Sequence, residues 1–222
     1  YKDIEAKAEM IGYPLIIKPA NLGSSIGIEI VHKKDELKSA LSECAKYDDK
    51  LVIEKMVKQL KEVNISVMGN SKDAKVSAIE EVLKGDEFLS FSNKYLGGGK
   101  GTKGSKPTKV APTKGSKGMA SASRIVPARL DGNQQKEIEE YALKSFKALN
   151  ASGAVRIDFM IDKEDGSVYV NEINSIPGSL AFYLWKEVGV DFREECDLLI
   201  NNALNVYREK KKKVRSFDTN IL

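Results

Sequence analysis

An α+β fold in two lobes is what this sequence predicts, and three features predict it. Over the first ~80 residues, short apolar runs and one amphipathic stretch follow one another as strand, strand, helix, strand, strand. From 134 to 174 a long amphipathic helix leads into two strand-like runs joined by a turn. The chain has 222 residues, 41% hydrophobic and 31% charged, enough to bury a core beneath a charged surface. The lobes are predicted at 1–80 and 81–222, with a ligand cleft between them.

In chain order, residues 1–11 read as a helix that stops at Gly12 and Pro14. LIIKP (15–19) and GIEIV (27–31) read as strands around the small-residue turn ANLGSS. KDELKSALSECAKY reads as a helix with Asp35 as N-cap and with Leu37, Ala40, Leu41 and Cys44 on one face. LVIEK (51–55), EVNISVMG (62–69) and KVSAIEEV (75–82) read as strands, and 84–125 as irregular. The segment 134–150 carries Ile138, Tyr141, Ala142, Ser145 and Leu149 on one helical stripe. AVRIDFMID (154–162) and SVYVNEIN (167–174) form a hairpin through KEDG. Residues 192–209 form a last helix with Phe192, Cys196, Leu199, Ala203 and Val206 inward.

Several function classes are excluded by bulk properties. A net charge of +4 is too mild to imply nucleic acid. No apolar run approaches the ~18–20 residues that cross a bilayer, and no signal-peptide pattern opens the chain. Cys44 and Cys196 lie far apart, with no metal-ligand spacing, which suits a reducing cytosol. His32, the one histidine, reads as a surface residue. The stretch 97–123 holds six lysines and no acid and repeats TKGSK. It is either a solvated surface loop or a basic lid over an anion; without interleaved aromatics it does not read as a nucleic-acid groove.

The chemistry concentrates in two places. Side chains alternate along a strand, so Arg156 and Asp158 share one face, as do Glu172 and Asn174 on the next strand. If the hairpin turn sets the register, Asp158, Glu172 and Asn174 offer hard oxygens to Mg²⁺, with Arg156 beside them to meet developing negative charge. The alternative is an exposed, salt-bridged sheet face. In IIKPANLGSSIG, Lys18 ends an apolar strand and Gly23, Ser24 and Ser25 follow. Backbone N–H groups and hydroxyls there can cradle phosphate oxygens, or the segment is an ordinary hairpin turn. Glu54 and Lys55 stand where another apolar strand ends, suited to adenine; Glu62 is suited to ribose hydroxyls; Lys94 is within reach of a terminal phosphate.

Taken together, YPLIIKPANLGSSIGI, LVIEKMV, NKY, GAVRIDFMID and YVNEINSIPG, spread over 13–178, resemble the D-alanine–D-alanine ligase family of the ATP-grasp superfamily. The resemblance implies the ATP-grasp fold with the nucleotide cleft between its lobes, and an ATP-dependent carboxylate–amine ligase working in the cytoplasm on peptidoglycan precursors. It implies that Lys18 meets ATP phosphates beneath a Gly23–Ser24–Ser25 flap, and that Glu54, the backbones of Lys55 and Val57, and Glu62 hold adenosine. Lys94 would meet the transferred phosphoryl group, and Asp158, Glu172 and Asn174 would hold two Mg²⁺, or Mn²⁺ in their place. Arg156 would stabilise charge at the acyl centre, Ser24 and Tyr95 would orient substrate, and Gly178 and Tyr183 would line the amino-acid site. Two departures stand out. The family's N-terminal substrate domain has no counterpart here, so the chain alone is expected to bind Mg-ATP weakly and ligate poorly. Tyr183 stands where a small hydroxyl residue is usual, which opens the alternatives of another amino acid, D-lactate or a peptide as acceptor; a separate alternative is a non-catalytic nucleotide-binding module that keeps the fold. Partners are thus small molecules, with neither nucleic acid nor membrane, and with room for a homodimer in the full-length enzyme.

Overall fold

The structure, a computed structural model, describes residues 1–23, 25–83 and 123–213. It divides into two compact units, of which the first holds residues 1–58 and the second holds 59–83 together with 122–222.

In the first unit, α1 (Lys2–Ile11) precedes β1 (Leu15–Pro19), β2 (Glu29–Val31), α2 (Lys34–Cys44) and β3 (Leu51–Lys55). The strands form an antiparallel sheet in the order β2-β1-β3. Leu15 and Ile17 of β1 turn to the same side, where they bury with Ala8, Val31, Leu37, Ala40 and Cys44. Asp35 is not the cap of α2. Lys33 holds that position without a side-chain bond, and Asp35 sits within the first turn, where its charge suits the helix dipole. The capping contact comes instead from Glu36, which accepts the His32 N–H at 2.9 Å.

The second unit contains β4 (Leu60–Gly69), β5 (Ala74–Leu83), β6 (Ser123–Ile125), α3 (Gly132–Ala148), β7 (Gly153–Asp162), β8 (Val168–Asn174), α4 (Phe182–Lys186) and α5 (Phe192–Lys211). Its sheet runs β6-β5-β4-β7-β8 and every neighbouring pair is antiparallel. The expected lobe boundary at 80 is therefore corrected: 60–83 belong with the strands at 153–162 and 168–174. The reason is pairing, because β4 lies beside β7 in register from Leu60↔Asp162 to Gly69↔Gly153. One face of this sheet (Val63, Ile65, Val67, Ile79, Val155, Ile157, Phe159, Ile161) packs on Ile138, Ala142 and Phe146 of α3. Leu149, expected on that stripe, is 62% exposed.

The inward stripe of α5 also differs from expectation. Phe192 is exposed, and the buried residue is Glu195. Asn202 faces inward too: it donates to the Gly69 carbonyl at 2.9 Å and accepts from Asn70 at 2.7 Å. Polar residues thus hold positions that a hydrophobic pattern assigns to apolar neighbours. Glu195 is fully buried, and among the described residues neither of its oxygens has a hydrogen-bond partner. Burial pushes its carboxyl from 4.5 up to about 7. In the unfolded chain this group ionises near its ordinary value, so stability falls as pH rises from about 4.5 to about 7 and levels off above. Glu195→Gln removes that slope. Its advantage over the parent chain in urea midpoint is expected to grow between pH 5 and pH 8, by on the order of 1–3 kcal/mol. A parallel pH response of the two proteins would refute a neutral buried carboxyl.

Candidate functional site

The face of the second sheet opposite α3 is polar. Directly opposed residues of neighbouring strands turn to the same side. Glu80, Asn64, Asp158 and Glu172 therefore form one row across β5, β4, β7 and β8. Ser66, Arg156 and Asn174 form the next row across β4, β7 and β8. The structure thus brings Arg156, Asp158, Glu172 and Asn174 together, though not by simple alternation. The pairing slips between Asp158↔Glu172 and Phe159↔Val170, leaving Asn171 as the extra residue of a β-bulge. Ile173 and Val168 lie an odd number of positions apart, and a regular strand would put them on opposite faces. The bulge lets both pack on the core while Glu172 and Asn174 keep the polar face.

Arg156 grips Asp158 with two bonds, Nε to Oδ1 at 2.7 Å and Nη2 to Oδ2 at 2.9 Å. Asn174 Nδ2 donates to the same Oδ2 at 3.2 Å, which leaves its own Oδ1 as an acceptor. Burial pulls the Arg156 guanidinium down, but the Asp158 bonds and charge outweigh it and raise it above its ordinary value. A fixed cation therefore stands beside the carboxylates. Glu172 is exposed, and no hydrogen bond or ion pair among the described residues engages its side chain. Among the described residues no three His, Cys, Asp or Glu gather as a metal cluster. Asp158, Glu172 and Asn174 together offer two carboxylates and one amide oxygen, a hard-oxygen donor set of the kind that leaves Mg²⁺ positions for phosphate and water.

Beyond β8 the chain turns at Pro177–Gly178 and then runs through three left-handed non-glycine residues, Ser179 (φ 52°), Leu180 (φ 56°) and Ala181 (φ 60°). Each costs roughly 1–2 kcal/mol relative to ordinary helical backbone, so packing must hold the turn. Leu184 and Trp185 of the following α4 are buried. Trp185 Nε1 donates to Ser66 Oγ at 3.1 Å, and Ser66 Oγ donates to the Val155 carbonyl at 3.0 Å. Tyr183, two residues before this anchor, is half-buried; burial first, then the nearby Glu80 carboxylate, pushes its hydroxyl up to about 12. Sequence reasoning missed Glu80, Asn64, Ser66, Arg124 and Trp185. For Asn64, Ser66 and Glu80 the one legible signal was polar residues at alternate positions of apolar strands.

In the first unit, Lys18 Nζ lies 2.8 Å from Glu54 Oε2. The anionic partner that a lysine at a strand end requires is thus supplied by the neighbouring strand, and phosphate binding would have to compete with it. Gly23 starts the flap turn, where the Ile26 N–H donates to its carbonyl at 3.2 Å; Ser25 has φ 61°. Gly27 has a packing reason of its own. At φ +69°, an added Cβ would stand 2.8 Å from the Tyr47 ring and 3.0 Å from Pro19. Cys44 Sγ donates to the Gly27 carbonyl at 3.0 Å, tying the turn to α2, and burial pushes this thiol up, away from reactivity. Glu54 and Lys55 end β3, an edge strand whose outer side is paired with no described strand, and Val57 follows it. Glu62 lies on β4, in the second unit. Gly178 is exposed just after the buried Pro177. Ser24, Lys94, Tyr95 and most of the lysine-rich stretch lie outside the described residues.

Solved structures share this chain path. It matches the VanG D-Ala:D-Ser ligase from Enterococcus faecalis with a TM-score of 0.67 and 28% identity, over 90% of this chain and 52% of that one. It matches the D-alanine–D-alanine ligase from Bacillus anthracis complexed with ATP with a TM-score of 0.64 and 26% identity, over 91% and 56%. The fold class is therefore the α+β ATP-grasp fold that the motifs implied. Among curated sequences, the D-alanine–D-alanine ligase of Thermosipho africanus is 38% identical over 213 residues, 96% of this chain and 52% of that protein. The family model for the D-ala D-ala ligase C-terminus matches residues 2–125 and 112–201, and the chain belongs to that family. It spans about half the length of the curated relatives it matches.

Proposed function

We propose that this chain is the ATP- and metal-binding part of a D-alanine–D-alanine ligase, working in the cytoplasm on small-molecule substrates for peptidoglycan precursors. The observation that carries the proposal is the polar sheet face, where Asp158 opposes Glu172 and Arg156 opposes Asn174, in a chain of the ligase family. In this reading a carboxylate of one D-alanine attacks the γ-phosphorus of ATP, forming an acylphosphate and releasing ADP. The amine of a second D-alanine then attacks the acyl carbon. The tetrahedral intermediate expels phosphate, the amine loses a proton, and the dipeptide is left.

The residues fit this chemistry. Asp158, Glu172 and Asn174 would hold Mg²⁺, which would neutralise phosphate charge. Arg156, held charged by Asp158, stabilises the negative charge that builds on the acyl oxygen. Lys18, released from Glu54, meets phosphate, and Glu54, the backbones of Lys55 and Val57, and Glu62 hold adenosine. Lys94 meets the transferred group; Gly23, Ser24 and Ser25 cover it; Ser24 and Tyr95 orient substrate. Gly178 and Tyr183 line the acceptor site. The reaction needs charge neutralisation more than acid–base groups, consistent with a site built without histidine or cysteine.

Calorimetry of the chain with ATP, with and without Mg²⁺, tests the first half of the reading. Binding that requires Mg²⁺ and weakens about 10-fold or more in Asp158→Asn is expected. Binding that ignores the metal overturns the metal assignment. ADP release by the natural full-length protein, with D-alanine against D-lactate and other amino acids, tests the second half. The VanG relative is named for D-Ser, so D-serine belongs in that panel.

A further inference from the structure

Ser66 stands at a break in the sheet, directly across from Arg156. Between Ile65↔Ile79 and Val67↔Val76 the register slips, so Ser77 and Ala78 of β5 share Ser66 as partner in a second β-bulge. The Ser66 N–H donates to Ser77 Oγ at 2.9 Å, and Ser77 Oγ donates to the Ala78 carbonyl at 2.8 Å. The Ser66 side chain is engaged on two sides as well. It accepts from Trp185 Nε1 at 3.1 Å and donates to the Val155 carbonyl at 3.0 Å. Ser66, Ser77 and Trp185 are all buried. Buried polar groups cost free energy unless they are bonded, and apolar groups of the same shape can fill such a site at little loss. Packing alone therefore does not call for this chain of bonds.

The chain of bonds joins two parts of the proposed site. At one end, Trp185 lies on α4, which follows directly on the left-handed turn Ser179–Ala181. Its carbonyl accepts the N–H groups of Val188 at 3.1 Å and Val190 at 3.0 Å, so the residue is fixed from the far side of α4 too. At the other end, Val155 immediately precedes Arg156 on β7. Directly opposed residues hold their Cβ atoms about 4.5–5.5 Å apart, so what fixes the Ser66 side chain also bounds the space of the Arg156 stem. Asp158 orients the guanidinium at the tip. We propose that Ser66 and Trp185 are positioning residues for Arg156: the bonds Trp185–Ser66–Val155 couple the turn at Gly178–Ala181 to the strand that carries Arg156. The inference rests on the proposal that Arg156 stabilises acyl charge and that Gly178 lines the acceptor site. Seating of the acceptor against the turn and placement of the cation at the acyl oxygen are then linked. Stabilisation of developing charge depends on groups held in place beforehand, and a displacement of about 1 Å is enough to slow the reaction.

Trp185 is the one tryptophan, so its indole N–H gives a single ¹H–¹⁵N cross-peak that reports the bond to Ser66. On the chain alone, Ser66→Ala should move that peak. Ser66→Ala and Trp185→Phe should both move the Arg156 Nε–H peak, assigned with Arg156→Lys. An unmoved indole peak overturns the contact, and an unmoved Arg156 peak overturns its transmission, whatever the reaction is. In the natural full-length protein, each variant is expected to lower kcat for D-alanine ligation about 10-fold. KM for ATP should change less than about 2-fold, with ATP-binding stoichiometry kept. The double variant should fall within about 2-fold of either single one, because both break the same link. Losses that multiply in the double variant overturn the coupling, as does an unchanged kcat. A fall in ATP-binding stoichiometry that matches the fall in kcat assigns the loss to folding and overturns it too. Absence of any ligation by the parent protein removes the functional proposal and the catalytic meaning of the link together, while the Arg156 peak decides the positioning by itself.

Discussion

Glu172→Gln is expected to lower D-alanine-dependent ADP release by about 10²-fold or more while shifting stability by under about 0.5 kcal/mol. The two halves of this expectation come from the same geometry. Glu172 lies opposite Asp158 on the polar face, so it is placed to share a metal, yet it is exposed and no bond among the described residues gives it a structural task. Asp158 is different, because two Arg156 bonds and one from Asn174 end on it, and its replacement disturbs Arg156 as well. Glutamine keeps the shape of Glu172 and one oxygen but loses the charge that a divalent cation requires. The measurements are steady-state ADP release at several Mg²⁺ concentrations and a thermal melt of the same preparation. Unchanged turnover would remove Glu172 from the metal set. A collapsed melt would give it a structural role that the fold does not reveal.

Trp185→Ala is expected to destabilise the second unit by about 3–5 kcal/mol, the largest stability loss of any single change considered. The ring is 2% exposed, and its N–H ends on Ser66, whose hydroxyl passes the bond on to Val155. Alanine opens a cavity and leaves a buried hydroxyl oxygen with one partner fewer. Trp185→Phe keeps most of the volume and drops the bond, so a loss of about 1–2 kcal/mol is expected. Because Trp185 is the one tryptophan, unfolding must be followed by circular dichroism in urea and not by its fluorescence. Equal losses in the two variants would mean that packing around the ring contributes nothing beyond the hydrogen bond.

The elements of the fold were legible because their periodicities are clean. Leu15 and Ile17 alternate into one core, and Ile138, Ala142 and Phe146 stack on one helical face. The motif strands 154–162 and 167–174 were legible as a hairpin, but the register of its turn alone would set Asn171 opposite Asp158, and the bulge that brings Glu172 there leaves no signal in the pattern. What escaped is where tertiary contacts override pattern. Glu195 and Asn202 hold the inward stripe of α5, and hydropathy cannot assign a carboxylate and an amide to such positions. The lobe boundary failed because β4 follows β3 in sequence but pairs with β7, a long-range choice that no local window contains. Glu80 and Arg124 were unreadable as a pair, since their contact depends on β5 and β6 lying side by side with Tyr183 against them. The Lys18–Glu54 pair is equally illegible, because the two residues sit far apart along the chain and meet only through β1 and β3 lying side by side.

The single surplus residue at Asn171 makes β8 a strand with two independent clocks. On one side of it, the hairpin end is timed by the turn after Asp162; on the other, the acid–amide pair is timed by its neighbours on β7. A change of length at the hairpin tip can thus be taken up before it reaches Glu172, whereas excising Asn171 would swing Val168 outward or Glu172 inward. Tolerance at the tip and intolerance at position 171 should therefore separate sharply in any length-variant library of this hairpin.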